Sequence, residues 1–359
     1  MAFSKKLIAW YLDNARQLPW RNSDNPYYIW LSEIILQQTR IEQGLEYYRH
    51  FITVYPTVLD LANASEQQVL KSWQGLGYYS RARNLHAAAR YVAFELGGRF
   101  PDTYEGILKL KGVGPYTASA IASFAYRLPY PVIDGNVYRF VSRLYDVATP
   151  IATPMAYQQF REILCRLIDT ERPDLFNQAM MDFGSTFCKP MPPNAKQHYL
   201  DNCLECPFRQ QCLAFQREKV DQLPVRAKPT SVVIRYFYYI VIRAKNGGSD
   251  YTLLHHRTDN DIWKGLYEFP LLESESPWSD ETVKEKVKHL FATQGPVNAI
   301  ALSQPYTHKL THRTIVARFI ECDWCSENAL LLPNTIAVPW SEIKKYPVSR
   351  LIDKYLSTL

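Results

Sequence analysis

The sequence contains no apolar run long enough to cross a membrane, and its N-terminal stretch MAFSKKLIAWYLDNARQ is too polar for a secretory signal peptide. It also contains no internal repeat and no low-complexity segment, which excludes solenoid architectures and long disordered tracts. These absences predict a soluble, cytoplasmic, globular protein. At 359 residues the chain is long enough for two domains with a sizeable core.

Acidic residues are missing from two long windows, Gln67–Phe94 and Gly106–Ile133. Residues 1–230 hold 26 Lys and Arg against 21 Asp and Glu, whereas residues 231–359 hold 15 against 14. Positive charge is therefore concentrated in the first part of the chain. This distribution favours a polyanionic partner such as nucleic acid, and a solvated basic face is the alternative.

The spacing of apolar residues changes near residue 225. Before this point it repeats every three to four residues, as in helices. After it, β-branched and aromatic runs such as SVVIRYFYYIVIRA, DYTLLHHR and RTIVARFIECDW predict strands, and ETVKEKVKHLFATQG predicts a helix among them. We therefore expect a mainly α domain over residues 1–222, a linker over 223–231 and an α+β domain over 232–359.

The run LKGVGPY places Gly112 and Gly114 around one valine, with Pro115 directly after them. The stretch before the glycines reads as the end of a short helix, and the proline opens an alanine-rich helix. A dinucleotide-binding turn would need a preceding strand and a third glycine, which are missing. The run predicts a helix-hairpin-helix, whose amides usually face a nucleic-acid backbone.

Four of the seven cysteines are clustered, with gaps of fourteen, two and five residues: Cys188, Cys203, Cys206 and Cys212. In an intracellular chain such clustering argues for a metal rather than for disulfides. Structural zinc sites usually contain two Cys-x2-Cys pairs, and this sequence has one. The spacing favours an iron–sulfur cubane, and a structural zinc site is the alternative.

Long strings along nearly the whole chain resemble the helix-hairpin-helix superfamily of base-excision glycosylases and, within it, the adenine DNA glycosylases (MutY family). The strings are LPWR at 18–21, WLSEIILQQTR at 30–40, WQGLGYYSRARNLHAAA at 73–89, LKGVGPYTASAIASFAY at 110–126, VIDGNVYRFVSRL at 132–144 and FNQAMMDFG at 176–184. The resemblance implies a helical catalytic domain with an iron–sulfur loop near 188–212 that holds one [4Fe-4S] cluster. The first cysteine gap is usually six residues in the family, so Cys188 is the least secure ligand.

The resemblance implies hydrolysis of the N-glycosidic bond of adenine paired with 8-oxoguanine or guanine, with two carboxylates in the reaction. Glu33 lies among apolar neighbours that should raise its pKa, and it is expected to protonate adenine and then help to activate water. Asp134 is expected to cap a helix, to be held ionised by the capping amides and to stabilise the sugar cation. The resemblance assigns Tyr116 and Asn136 to the support of this pair.

DNA contacts are also implied by the resemblance. Gln38 and Tyr78 match residues that probe or wedge the duplex while adenine is flipped out. The amides of Gly112 and Gly114 would hold a phosphate of the repaired strand, with a monovalent cation assisting, and Arg21 of LPWR would contact DNA. The expected partner is double-stranded DNA, and we expect a monomer with no membrane association, located in the bacterial cytoplasm at the nucleoid.

The C-terminal part resembles the Nudix-like domain of this family through DIWKGLYEFP at 261–270. A Nudix hydrolase would need a glutamate-rich metal box after this string, and ETVKEKVKHLFATQG does not supply it. We therefore expect this domain to recognise the lesion rather than to hydrolyse a substrate. The HKLTH loop, with Leu310, Thr311 and His312, matches the family loop that senses 8-oxoguanine. The family usually has Phe where Leu310 stands.

Two other functions compete with a monofunctional glycosylase. A bifunctional glycosylase and lyase resembling endonuclease III would carry a lysine where this chain has Tyr116. A catalytically inactive DNA-binding protein or a Nudix hydrolase is the second alternative. The presence of both Glu33 and Asp134 opposes an inactive protein, and the missing metal box opposes a hydrolase of the Nudix class.

Overall fold

The structure is a computed structural model. It describes residues 2–191, 201–226, 232–246, 249–292, 295, 297–324 and 332–359. Part of the predicted linker (227–231) and part of the long cysteine gap (192–200) lie outside the described residues. The chain divides into two compact units, Met1–Ala62 with Ala87–Lys228, and Asn63–His86 with Pro229–Leu359. The segment Asn63–His86 thus groups with the C-terminal residues, although it lies inside the predicted helical domain.

Helices build the first unit, as the apolar spacing predicts. Proline stands at the start of several of them and side chains of Asn25, Thr103, Asp134 and Thr153 cap four of the N-termini. The labelled α-helices up to residue 216 are α1 (Phe3–Asn14), α2 (Pro26–Leu36), α3 (Ile41–Val54), α4 (Val58–Asn63), α5 (Glu66–Ser72), α6 (Ser80–Arg90), α7 (Tyr104–Leu108), α8 (Pro115–Tyr126), α9 (Gly135–Tyr145), α10 (Pro154–Leu167), α11 (Pro173–Asp182) and α12 (Leu213–Gln216). Of these, α5 and most of α6 belong to the second unit.

An aromatic core holds α1, α9, α10 and α11 together. Phe140, Phe160, Phe176 and Phe183 are buried in it, and the Phe140 and Phe183 rings lie 4.5 Å apart. Burial of such rings supplies most of the free energy that holds a helical unit together. The core therefore fixes α9 against α11, which positions the candidate site described below.

The predicted helix-hairpin-helix is confirmed: α7 and α8 flank the two glycines. Gly112 has a φ of +81°, which an L residue rarely adopts, so glycine is needed at this turn. Gly114 is the N-cap residue of α8 and has an ordinary extended conformation. The described residues include no helix long and apolar enough to span a membrane.

The second unit is built on a mixed sheet, as the α+β prediction requires. The strands are β1 (Val233–Asn246), β2 (Ser249–His256), β3 (Tyr267–Glu268), β4 (Leu271–Ser274), β5 (Val297–Leu302), β6 (Tyr306–Lys309), β7 (Arg313–Trp324) and β8 (Thr335–Pro339). The long strand β1 pairs in parallel with β7 from Val233↔Arg313 to Arg243↔Asp323. The strand order is β3-β2-β1-β7-β5, with β4 on β1, β6 on β7 and β8 on β2.

Both faces of the sheet are covered by apolar residues. Alternate residues of β1 enter opposite cores, so that Phe237 and Tyr239 face one and Tyr238 and Ile240 face the other. The first core is closed by α14 (Arg350–Leu356) and the second by α13 (Asp280–Leu290). Burial on both sides explains why the β1 sequence is almost continuously apolar and aromatic.

Candidate active site

Glu33 lies in α2 with only 7% of its surface exposed. The helix is buried nearly all round, because the residues from Ile29 to Ile35 pack on every side of it. Burial raises the pKa of Glu33 to about 7; the Asp134 charge adds to this rise, while a Tyr116 hydrogen bond and Arg21 oppose it. The predicted raised pKa is therefore present, and Glu33 can hold a proton near neutral pH.

Tyr116 is the second residue of α8 and its hydroxyl is hydrogen-bonded to the Glu33 carboxyl group. Burial, and then the charges of Glu33 and Asp134, raise the pKa of Tyr116 well above its usual value. The phenol therefore stays protonated and is available as a donor. A second bond between the two helices runs from Gln37 Nε2 to Thr117 Oγ1 at 3.3 Å.

Asp134 caps α9. Its Oδ1 accepts hydrogen bonds from the backbone N–H groups of Asn136 (2.9 Å) and Val137 (2.7 Å), and its Oδ2 accepts one from Asn136 Nδ2 (2.7 Å). Burial raises the pKa of Asp134 in spite of these donors and of Arg139, and the expected ionised state of this carboxylate stays a prediction. The donors limit the rise and fix the orientation of the carboxylate.

Asn136 connects this carboxylate to the backbone near Cys188. Its Oδ1 accepts from Arg139 Nη2 at 2.9 Å, and Arg139 donates further to the carbonyls of Cys188 (Nε, 2.8 Å) and Gly184. Gly184 packs directly on the backbone of Asn136: a Cβ atom there would lie 2.6 Å from the Asn136 carbonyl oxygen. The catalytic candidates on α9 are thus held by a buried polar network.

One cavity of about 500 Å³ brings the four catalytic candidates together. Glu33, Tyr116, Asp134 and Asn136 all line it. Its wall also includes Arg16 and Arg21, which follow α1, Gln178 of α11, and Ser185 of the turn after α11. A cavity of this size fits a single extruded nucleobase with its sugar rather than a duplex.

Arg21 lies in this cavity wall rather than on an exposed surface. It donates to both carboxylate oxygens of Asp182, at 2.6 and 2.7 Å, and Arg16 pairs with the same fully buried carboxylate. Burial opposes the ionisation of Asp182, but these hydrogen bonds outweigh it and lower its pKa. Arg21 therefore has an electrostatic effect on Glu33, and its expected DNA contact stays a prediction.

Sequence reasoning missed the ion pair around Asp182. The residue lies in FNQAMMDFG, one of the strings that carry the family resemblance, but was not singled out. An acidic residue within the apolar stretch AMMDFG is rarely buried without a partner. That pattern indicates a buried cation, although the sequence cannot identify Arg16 and Arg21 as the partners.

The four clustered cysteines line one small apolar cavity of about 30 Å³ between α9, α12 and the turns around them. Cys188 is among them, and its Sγ accepts from Arg143 Nη1 at 3.3 Å. Burial raises the pKa of Cys206 to about 12, so that a thiolate there needs a compensating cation. Within the described ranges, no group of three or more His, Cys, Asp or Glu side chains is arranged so that it could hold a single metal ion.

The residues expected to contact the duplex lie at exposed turns. Gln38, just after α2, is exposed and has a φ of +54°. Gly112 is exposed at the hairpin, and Gly114 is partly exposed. Positive φ in a residue other than glycine is costly and concentrates at functional sites. The conformation of Gln38 therefore supports a functional turn.

In the second unit, Tyr78 and the HKLTH loop are in contact. Tyr78 is 44% exposed with a φ of +48°, and its hydroxyl lies 2.9 Å from Thr311 Oγ1. The loop is a tight turn between β6 and β7, closed by the Leu310 N–H donating to the Arg313 carbonyl at 2.8 Å. Thr311 and His312 are exposed, whereas Leu310 packs partly against the sheet core.

Comparison with known proteins agrees with this geometry. Residues 31–166 match the model of the HhH-GPD superfamily of base excision DNA repair proteins, and residues 238–358 match the NUDIX domain. The adenine DNA glycosylase of Buchnera aphidicola (from Acyrthosiphon pisum) is 30% identical over 314 residues, which are 86% of this chain and 84% of that protein. The chain belongs to the adenine DNA glycosylase family. The sequence resemblance is thereby confirmed.

Family members from animals are longer. The mouse adenine DNA glycosylase is 40% identical over 231 residues, which cover 62% of this chain and 43% of the mouse protein. Among solved structures, a thermostable thymine-DNA glycosylase matches with a TM-score of 0.54 and 26% identity, over 60% of this chain and 95% of that one. Endonuclease III, in a trapped covalent intermediate with DNA, shares the fold with a TM-score of 0.50 and 20% identity, over 60% and 94%.

This member of the adenine DNA glycosylase family contains both matched regions in one chain. The NUDIX match begins at residue 238, within β1, and ends at residue 358, just after α14. The HhH-GPD match contains Glu33, Tyr116 and Asp134. The predicted fold class, a helical glycosylase domain followed by a Nudix-like α+β domain, is confirmed; the predicted domain bounds and site roles stay predictions.

Proposed function

We propose that this chain is a monofunctional adenine DNA glycosylase that hydrolyses the N-glycosidic bond of adenine opposite 8-oxoguanine or guanine in double-stranded DNA. One observation carries the proposal. A carboxyl group that is protonated near neutral pH and a hydrogen-bonded carboxylate line the same cavity. Relatives named adenine DNA glycosylase in a bacterium and in the mouse support the choice of base.

Glu33 is the general acid of the proposed reaction. It transfers its proton to the departing adenine, which becomes a neutral leaving group as the carbon–nitrogen bond breaks. Tyr116 orients the carboxyl group through its hydrogen bond. The resulting Glu33 carboxylate then accepts a proton from the water that adds to the sugar, which restores the starting state.

Asp134 is the group that stabilises the positive charge on the sugar. Its carboxylate is held by three hydrogen bonds at one helix N-terminus, so little reorganisation is needed as charge develops. Asn136 supplies two of these donors, and Arg139 in turn orients the Asn136 amide. The two carboxyl groups thus have different environments and different roles.

The absence of a lyase step is supported by the cavity wall. Schiff-base formation needs an amine next to the anomeric carbon. Within the described part of the chain, the residues that line the cavity include three arginines, Arg16, Arg21 and Arg127, but no lysine. Tyr116 cannot form an imine, so the proposed product is an intact abasic strand.

Recognition of 8-oxoguanine is assigned to Leu310, Thr311 and His312, with Gln38 and Tyr78 probing the duplex. The exposure of these turns supports the assignment. The exposed hairpin at Gly112 and Gly114 supports a phosphate contact, for which a monovalent cation bound by the hairpin carbonyls is part of the proposal.

The proposed function is tested with purified protein on duplexes that carry adenine opposite 8-oxoguanine, guanine or thymine, with and without alkali after the reaction. We expect release of adenine opposite 8-oxoguanine and guanine, and strand breaks only after alkali. Lack of excision from all three duplexes would contradict the glycosylase assignment. Equal rates on all three would contradict the proposed selectivity.

We propose a [4Fe-4S] cluster as the cofactor, held at the cysteine cavity. Its donors are four thiols in an apolar pocket, and each thiolate of a cubane binds a different iron, so the four sulfurs need not meet at one point. Cys188, Cys203, Cys206 and Cys212 would hold the cluster, which would fasten the chain after α11 to α9 and α12. The Cys188 contact with Arg143 supports its inclusion.

Replacing Cys203 by serine should remove the cluster. The wild type should contain roughly four irons per chain and absorb visible light, and Cys203→Ser should lose both, together with thermal stability. Metal analysis and visible absorption give the readout. Cys165→Ser is the matched control, because Cys165 is exposed and lies outside the cavity. A colourless wild type with one zinc per chain would refute the cluster.

Replacing Gly184 by alanine should disturb Asn136. The new Cβ would lie 2.6 Å from the Asn136 carbonyl oxygen and 2.8 Å from its carbon, so the backbone beside Asp134 must shift. We expect a loss of about 1–3 kcal/mol in stability and a lower rate of excision. Gly135→Ala is the control, because its Cβ would meet nothing within 4 Å. Equal melting temperatures for the two variants would contradict the packing argument.

A further inference from the structure

The cavity that contains the catalytic candidates extends along two packed helices, α2 and α8. Tyr116 in the first turn of α8 and Arg127, which ends this helix, both line it, and about 16 Å of helix separates them. On the other helix, the lining runs from Asp24, just before α2, to Leu36 at its end. The cavity is therefore elongated in the direction of both helices.

The two helices run in opposite directions along this cavity. The end of α2 meets the start of α8 through the hydrogen bond between Gln37 and Thr117. Toward the other end, Phe100 connects the helices, because its ring lies 5.5 Å from that of Trp30 and its carbonyl accepts from the Tyr126 hydroxyl at 3.4 Å. The start of α2 and the end of α8 therefore lie at the same end of the cavity.

The catalytic candidates lie toward the opposite end, where Glu33 is hydrogen-bonded to Tyr116. This catalytic end adjoins the exposed turns that are expected to contact the duplex, since Gln38 directly follows α2 and Gly112 directly precedes the start of α8. An extruded nucleotide therefore enters the cavity at the catalytic end.

The end of the cavity distant from Glu33 opens to solvent. Arg127 is exposed, and so are Asn22 and Asp24 in the turn before α2, and all three line the cavity. A residue that is exposed and also lines a cavity lies at its mouth. These three residues define a second mouth, at the other end from the one that receives the nucleotide.

The wall between the two ends offers flat apolar surfaces. Phe124 lies between Tyr116 and Arg127 on α8, and Trp20 and Ile29 also line the cavity. Nucleobases stack favourably on aromatic side chains. A free adenine is uncharged near neutral pH and can pass along such a wall, whereas a strand that carries phosphates cannot leave contact with water at so low a cost.

We propose that the second mouth is the exit for the free base, so that adenine leaves past Phe124 and Arg127 while the abasic strand still occupies the catalytic end. This inference rests on the proposed function, which supplies the base. Adenine is separated from its sugar inside the cavity, and the abasic strand, held through its phosphates, then obstructs the way by which the nucleotide entered. A second mouth lets the base depart before the DNA does.

The test plugs the second mouth reversibly in the full chain. Arg127→Cys, in a Cys165→Ser background, is coupled through a disulfide to a bulky aromatic thiol, and a reductant removes this plug. The wild type coupled at Cys165 is the matched control, because Cys165 is exposed and lies outside the cavity. The substrate is a bead-bound duplex with radiolabelled adenine opposite 8-oxoguanine, and the enzyme is in excess.

Two quantities are measured on each sample. Labelled adenine freed by a denaturing quench reports cleavage of the bond, and labelled adenine that leaves the intact bead-bound complex reports departure of the base. The plug should leave cleavage unchanged, because it lies about 16 Å of helix from Tyr116. It should make departure at least about tenfold slower, and the reductant should restore the original rate. The Cys165 control should show no change in either quantity.

Departure from the plugged complex at the unplugged rate would overturn the inference, since the base would then leave by the catalytic end. A plug that slows cleavage and departure equally would also overturn it, because Arg127 would then affect the reaction itself. A wild type that frees no adenine after the quench would instead refute the proposed function. Binding of free adenine to the complex with an uncleavable abasic analogue, with and without the plug, would then still decide whether the second mouth admits a purine.

Discussion

Replacing Glu33 by glutamine should slow adenine excision by about 10²–10⁴-fold, the range expected when a general acid is lost. Glutamine has the same shape and can still accept a hydrogen bond from Tyr116, but it has no proton that it can give to adenine. Since the carboxyl group is almost fully buried, bulk water cannot easily take over this role. Binding of the mismatched duplex should be retained, because the change leaves the exposed turns intact.

Single-turnover excision and duplex affinity, measured on the same preparations, separate these effects. Glu46→Gln is the matched control, because Glu46 is an exposed glutamate on the neighbouring helix α3 and should leave the rate unchanged. If Glu33→Gln excised adenine at a rate close to that of the wild type, another group would have to be the acid, and the assignment of Glu33 would fail.

The raised pKa of Glu33 also predicts a pH dependence of excision and stability in the wild type that Glu33→Gln lacks. Excision by the wild type should decrease as the pH rises through about 7, because the acid form is lost. The folded protein binds this proton more tightly than the unfolded chain, so the stability it supports is also lost as pH rises toward 7. At pH 8, Glu33→Gln should be more stable than the wild type by up to about 3 kcal/mol. Melting curves at pH 5 and pH 8 test this, with a smaller difference at pH 5.

Local features of the fold could be predicted from the sequence because they depend on neighbours along the chain. The β-branched and aromatic run of β1, the proline at the start of α8 and the two glycines before it each determine their own element. The burial of Glu33 was also predictable, because its apolar neighbours in α2 require a helix that is packed all round.

Contacts between distant residues could not be predicted in this way. Asp182 meets Arg16 across 166 positions and Arg21 across 161, and no periodicity links them. The direction of the Asp134 pKa shift depends on how deeply α9 is packed, which outweighs the local capping amides. The grouping of Asn63–His86 with the C-terminal residues likewise rests on hydrogen bonds across about 190 to 280 positions, such as Gln67 with His256 and Gln74 with Asp353.

These distant contacts affect the two acidic residues of the candidate site, Glu33 and Asp134. Burial raises the pKa of Glu33, the Tyr116 hydrogen bond lowers it, and Arg21, whose own charge is balanced by Asp182, lowers it further. Arg139 joins Asn136 to the carbonyls of Gly184 and Cys188, so the carboxylate at the start of α9 is supported by the cysteine-rich turn. Both sets of contacts join residues from distant parts of the helical unit.

Replacing Tyr116 by lysine should convert the enzyme into one that nicks DNA. Tyr116 contacts Glu33 and faces the cavity, so a lysine there brings an amine to the position where the exposed sugar aldehyde forms. Burial disfavours the charged ammonium, whereas Glu33 and Asp134 favour it, and the amine needs to be neutral to attack. Base release should be slower, because the Tyr116 hydrogen bond is lost and a cation opposes the developing sugar cation.

Borohydride reduction of the imine measures the outcome directly. Tyr116→Lys should yield a covalent protein–DNA adduct and strand breaks without alkali, and the wild type should yield little of either. Tyr116→Phe is the control, since it also loses the hydrogen bond but supplies no amine, and it should slow base release without trapping. Both variants start from the same loss of orientation at Glu33, so only the lysine can account for a difference in trapping. Efficient trapping by the wild type would require another lysine near the anomeric carbon, and the monofunctional assignment would then have to be withdrawn.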